Sequence, residues 1–238
     1  MKKIFYVLSI TFLILQSCSS DDSSGDSSES SNQTTLLKKI VVSGQSINFT
    51  YQGNKLTKIV YPQGNYSYYL ITYTGDLITR TEGFNNNNQP MNHDVFIYSN
   101  NLLTQQKVYS NPNTLEKTYT FTYNSNNSIT KNTANSSILY NLDNVGNIIE
   151  RKEYYNNSLQ NTYTYIYDQK NNPFKNVIGY NPLIFGPNLV LWSMSTNNVI
   201  SQAGSSGFSN NFQYNNQLYP TSVTSTSSGQ TTQANYYY

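Results

Sequence analysis

The chain has 238 residues, 11% of them charged and 14% aromatic, with 23 Tyr but one Cys and one His. The charged share lies well under the roughly 25% of ordinary soluble proteins, which leaves no basic footprint for nucleic acid. One thiol excludes an intrachain disulfide, a CxxC pair or a thiolate metal cluster.

In chain order, Lys2 and Lys3 precede an almost wholly apolar run from Ile4 to Leu15. That is the length of a secretory signal core and too short to span a bilayer. The following Leu15-Gln16-Ser17-Cys18 resembles the lipobox of bacterial lipoproteins. The resemblance implies that residues 1–17 are a cleaved signal peptide and that Cys18 becomes the lipid-modified N-terminus. Acyl chains at about 0.8 kcal/mol per buried methylene then hold the protein on a membrane. Loss of the leader removes Lys2 and Lys3, leaving 12 basic against 12 acidic residues. Residues 18–35 are rich in Ser and Asp and cannot bury apolar area against the entropy of ordering, so they read as a flexible tether. Asp21-Asp22 looks like the acidic export signal that takes some Gram-negative lipoproteins to the outer face of the outer membrane. A merely soluble spacer accounts for the same residues.

From residue 36 onward the chain repeats itself, and residues 36–238 are expected to form a single domain. Each copy is an alternating strand ending in an aromatic, a Gly/Asn turn, then Leu or Ile opening a second strand. The first is Ile47–Tyr51, the turn Gln52-Gly53-Asn54, then Leu56–Tyr61. The turn-leading positions 51, 73, 98, 123, 142 and 167 are spaced 22, 25, 25, 19 and 25 apart. A further copy at Phe212–Tyr214 follows 47 residues later, close to two periods, so something is inserted or degenerate between. Each unit reads as a β-hairpin with one row of Tyr, Phe, Leu and Ile on a single face. Seven such hairpins give about 14 strands, more than an open twisted sheet tolerates, so the sheet must curl, split or approach a barrel. The expectation is all-β: a long curled antiparallel meander of tandem hairpins.

Asn181-Pro182-Leu-Ile-Phe185-Gly186-Pro187 and the apolar Leu189–Met194 interrupt the alternation. Asn181 before Pro182 is a fair helix start and Gly186 a fair stop, which predicts a short helical insertion over 181–195. This block holds the only Trp. It reads as a plug on one end or face of the sheet, or as a ligand groove lined by Trp192 and Tyr180. The last strand, Thr231–Tyr238, ends on three Tyr and reads as an exposed sheet edge open to a partner.

The string Leu142-Asp143-Asn144-Val145-Gly146-Asn147-Ile148 resembles the YD-repeat family, whose units carry a Tyr-Asp-x-x-Gly-Asn-Leu pattern. Leu142 stands where the family has Tyr, Tyr167-Asp168 matches only the start of the pattern, and the other copies lack the Asp or the Gly. The resemblance implies winding hairpin sheets. The family's shells around toxins need far longer chains. Together with the lipobox, Asp168–Lys175 also resembles uncharacterised repeat-bearing lipoproteins.

Catalytic patterns are sought in vain. His93 stands alone in the Asn/Gln-rich loop between the second and third units, without a second His to share a metal. No Gly-x-Ser-x-Gly elbow or phosphate loop occurs. Glu150 and Glu153 fall on opposite faces of one strand and cannot act as a carboxylate pair. Asp143, Asn144 and Asn147 offer oxygens to Ca²⁺, but turn geometry alone explains them. The expectation is a non-enzyme without cofactor or metal. The sequence supports an envelope-anchored binding or adhesion lipoprotein of the outer membrane, with Tyr faces and amides suited to glycan. The alternative is a structural or assembly lipoprotein that docks an envelope protein through a sheet edge.

Overall fold

A computed structural model describes residues 34–61, 67–184, 195–204 and 207–238. Alternating, Thr- and Tyr-rich segments broken by Asn and Gly turns form sixteen antiparallel strands. The first eight are β1 (Lys39–Val42), β2 (Gln45–Gln52), β3 (Lys55–Val60), β4 (Tyr68–Thr74), β5 (Leu77–Phe84), β6 (Pro90–Ser99), β7 (Leu102–Asn111) and β8 (Thr114–Asn124). The rest are β9 (Ser128–Asn132), β10 (Ser136–Leu142), β11 (Ile148–Tyr155), β12 (Ser158–Tyr167), β13 (Val199–Ala203), β14 (Phe208–Tyr214), β15 (Pro220–Ser227) and β16 (Gln230–Tyr237). Each pairs with its neighbour in sequence, and β16 pairs with β1, so the meander closes into a barrel.

Closure corrects two expectations. The sheet is closed rather than a curled ribbon with ends, and the edge expected at Thr231–Tyr238 does not exist. Tyr236 faces Ile40 in β1, and Ala234 faces both Val42 in β1 and Val223 in β15.

The curvature has a local cause. At Tyr51, Tyr73, Tyr98, Leu142, Tyr167 and Tyr214, each leading a turn, the register shifts by one residue against the following strand. Such a bulge bends the strand and increases its twist. The extra residues in the first three hairpins are Thr57, Thr79 and Thr104. Their hydroxyls donate to the carbonyls of Thr50, Thr72 and Ile97 at 3.1, 3.4 and 3.0 Å. A kink repeated at the same place in successive hairpins rolls the sheet in one direction until its edges meet.

The turn-leading tyrosines also stitch one hairpin to the previous one. Tyr51, Tyr98 and Tyr167 donate from their hydroxyls to the carbonyls of Leu37, Ile78 and Ile148 at 2.6, 2.8 and 2.7 Å. The hairpin turns themselves need positive φ, which Asn100 and Asn101 supply at 50° and 62°.

Inward positions carry the core, with Ile40, Leu56, Ile59, Ile78, Leu103 and Val223 all at 0–1% exposure. Outward positions are mostly small and polar, as at Thr50, Thr72, Thr122, Thr164, Ser209 and Thr224. A membrane-spanning barrel needs the reverse, an apolar outer band. The strands alone fit this wall to water.

Successive turns alternate between the two ends of the barrel, and the ends differ. At one end residues 168–184 and 195–198, between β12 and β13, pack onto the core and the neighbouring turns, as Phe174, Val177 and Ile184 do in the core and Ile178 N does on Asn54 O at 3.0 Å. At the other end the described connections are short turns. We call these ends the cap and the mouth. The place where the repeat fails in sequence is therefore the cap. The helix expected over 181–195 is not seen in its described part. Residues 182–184 form a turn in which Ile184 N bonds Asn181 O at 3.0 Å and Leu183 N bonds the Asn181 side chain at 2.9 Å. The remainder, 185–194, lies outside the described residues.

Candidate functional site

The cap is held by amides and one carboxylate. Asp168, directly after the turn-leading Tyr167, accepts from Lys170 N at 3.0 Å, from Asn198 N at 3.2 Å and from the Tyr214 hydroxyl. Ser195, fully buried, accepts from Ile148 N at 2.9 Å and donates to the Tyr167 hydroxyl at 2.8 Å. Asn147 exchanges bonds with Asn197 at 2.9 and 3.1 Å. Ile178 N reaches Asn54 O in the β2–β3 turn at 3.0 Å. Phe174, at 1% exposure, enters the core edge-on to Phe49 with centroids 5.4 Å apart.

Tyr180 belongs to this cap. It stacks on Phe174 at 5.9 Å and packs against the core. Trp192, the other residue of the expected groove, lies outside the described residues, as does Cys18. Beside the cap, Leu103, Ile129, Leu142, Ile148, Pro182 and Leu183 line a mostly apolar cavity of about 230 Å³.

His93 is not in a loop. It lies in β6 at 6% exposure, stacked on Tyr109 with centroids 4.2 Å apart. Burial, then the Arg80 charge, lowers its pKa. Glu150 and Glu153 do face opposite ways: Glu150 pairs with Lys152 at 2.9 Å, and Glu153 pairs with Arg151. Asp143 closes its own turn, with Oδ1 accepting from Val145 N and Asn147 N and Oδ2 from the Asn147 amide, at 2.8–2.9 Å. Burial opposes its charge, yet those bonds win and hold the carboxyl below its ordinary pKa.

Nothing in the sequence patterns marked the one cluster of charge inside the barrel. It lies on the inner wall from β6 to β12, on the mouth side of the core. Asp94 in β6 accepts from the Gln106 amide of β7 at 2.7 Å. The Gln106 carbonyl in turn accepts from Lys131 of β9 at 2.8 Å. Lys131 Nζ stands 3.9 Å over the Tyr119 ring, and Lys117 stands 5.7 Å from the same ring. Two strands on, Arg151 pairs with Glu153, whose other oxygen accepts from the Asn161 amide at 3.0 Å. The Arg151 guanidinium lies 5.2 Å over Tyr163.

Register shows that these side chains share the core face. Lys131 stands opposite Phe121, and Arg151 stands between Tyr140 and Tyr163. Most remain half-buried rather than sealed, and Lys117 is exposed at the rim. Burial lowers the Lys131 pKa to about 8, against the pull of Asp94 and helped by the Arg151 and Lys117 charges. Burial likewise raises that of Asp94, which its Gln106 bond and Lys131 partly offset. The arrangement sets aromatic rings, amides and cations side by side on a half-buried wall. Its chemistry is that of a binding site.

The signal that would have found it is a break in the core row. Inward positions run Ile129, then Lys131, on β9, and Ile148, then Arg151 and Glu153, on β11. A charge at a core position is rarely idle.

No protein-family model matches the chain, and no curated protein resembles it in sequence. Among solved structures, a porin-like protein from Bacteroides vulgatus is similar with a TM-score of 0.45 and 12% identity, covering 86% of this chain and 99% of that one. A porin-like protein from Bacteroides uniformis is similar with a TM-score of 0.42 and 10% identity, covering 85% of this chain and 96% of that one.

Proposed function

We propose that this protein is a non-catalytic binding lipoprotein of the bacterial envelope that takes a saccharide into the mouth of its barrel. The observation behind this reading is the inner wall where the half-buried rings of Tyr119, Tyr140 and Tyr163 stand with the half-buried amide of Asn161. Tyr rings give sugars an apolar face, and fixed amides read their hydroxyls.

Thr35 sits at the cap, where its carbonyl accepts from Asn176 at 2.9 Å and its hydroxyl bonds Gln217 at 2.8 Å.

Residues 19–238, the mature chain without its lipid-bearing Cys18, are to be screened against an immobilised glycan library with Tyr163→Ala as partner. Capture of a glycan by the parent and loss of that capture by the variant, with an unchanged melting curve, is the expected result. No capture of any glycan at millimolar concentration would falsify this reading.

A further inference from the structure

Within the mouth, cations left without an ion pair point to the kind of sugar. Lys131 lies within electrostatic reach of both Lys117 and Arg151, and Asp94 lies within reach of Lys131 and of the exposed Glu116. Two carboxylates, Asp94 and Glu153, stand on the inner wall itself. Both carboxylates have taken partners: Glu153 holds Arg151 and Asn161, and Asp94 holds the Gln106 amide. Lys131 reaches Asp94 only through that amide. Among the described residues, neither Lys131 nor Lys117 makes an ion pair, and the two share one ring, Tyr119. Arg151 keeps its Nε buried without a hydrogen-bond partner.

Gathering like charges on a half-buried wall is unfavourable for the empty barrel, because each cation loses water and repels the next. The cost is offset when an anion enters between them. The surrounding groups restrict what carries that anion. Tyr119, Tyr140 and Tyr163 ask for a ring with an apolar face, and the half-buried Asn161 amide asks for hydroxyls. We infer that the mouth binds acidic saccharides, with the ring carboxylate of a uronic acid seated between Lys131 and Arg151 and approached by Lys117. This inference rests on the mouth being a saccharide site and adds the class of sugar.

On the outer wall the cations Lys55, Arg80 and Lys152 are each matched to Asp76, Glu82 or Glu150 at 2.7–3.1 Å.

The test is calorimetric titration of the mature protein with paired trisaccharides: galacturonate, mannuronate and glucuronate against galactose, mannose and glucose. At least one uronate is expected to bind roughly tenfold or more tightly than its neutral partner, in line with a charge-assisted bond. Raised salt is expected to narrow that gap. Lys131→Met should remove the preference for the uronate. Because Lys131 lies inside the wall, Lys117→Ala at the exposed rim provides a second variant, expected to weaken uronate binding by roughly threefold at low salt. Equal binding of acidic and neutral partners would overturn the acidic preference and leave the saccharide site standing. Binding of uronates that neither variant alters would place the anion elsewhere and overturn the site assigned here. Failure of all six sugars to bind at millimolar concentration would overturn the saccharide reading itself.

Discussion

The two ends of the barrel solve opposite problems with the same residue types. At the cap, Asn and Asp side chains are spent on the protein's own backbone: Asn172, Asn198 and Asn147 are at 1–2% exposure and each bonds a neighbouring segment. Toward the mouth, Gln106 and Asn161 bond charged side chains that remain in reach of water. Tyr follows the same division, tying turn to strand near the cap and standing under cations near the mouth. Amide- and Tyr-rich composition is therefore not one signal. Where polar groups are sealed they hold the fold together, and where they stay wet they are available to a ligand.

That contrast can be broken from several directions. Alkali should do most. Burial raises the phenols of Tyr73 and Tyr98 to about 12, whereas the unfolded chain gives up such protons near 10. Between those values the native state holds more protons, so stability falls as pH rises. Thermal melts should show Tm dropping steeply from pH 10 to 12; a Tm that does not fall over that range would show these rings to be wet.

Phe174→Ala should come next, at about 4 kcal/mol, because it empties a fully buried site where cap meets core. Urea denaturation at neutral pH measures it. Gly179→Ala should cost about 3 kcal/mol. Its φ is +73°, and an added Cβ would lie 2.5 Å from the carbonyl oxygen of Asp76 in the β4–β5 turn. A loss under 1 kcal/mol in either variant would mean that the cap lies loosely on the barrel.

Tyr98→Phe tests one rung of the tyrosine stitching and should cost about 1 kcal/mol. The smallest effect belongs to the mouth. Lys131→Met should leave stability unchanged or slightly raised, since a buried cation is lost and its stem is kept. A loss of more than 1 kcal/mol there would make Lys131 a structural residue and weaken the distinction between the ends.

Much of the fold is legible in the sequence, but only locally. Alternation and Gly/Asn turns place β2, β3 and β4 within a residue or two, and the failure of the repeat after Tyr167 marks the cap. Period-two alternation names a face and says nothing of curvature, so closure was not foreseen. The missing information was present in small form. Leu56–Ile59, Ile78–Thr81 and Leu103–Gln106 set inward residues three apart, because Thr57, Thr79 and Thr104 are bulged out of the alternation. The cluster at the mouth could not be read, because its members come from β6, β7, β8, β9, β11 and β12 and meet only once the wall is rolled. The helix expected at Asn181 rested on a capping signal. Its described start instead makes a single turn, fastened by its own Asn side chain.

The seam between β1 and β16 joins the first and last strands through four facing residue pairs, Lys39 meeting Tyr237 among them. Until that pairing forms, the wall is an arc with two unsatisfied borders. A permutant that links β16 to β1 and is cut at Asn156-Asn157 should assemble the same wall with its seam moved to between β11 and β12.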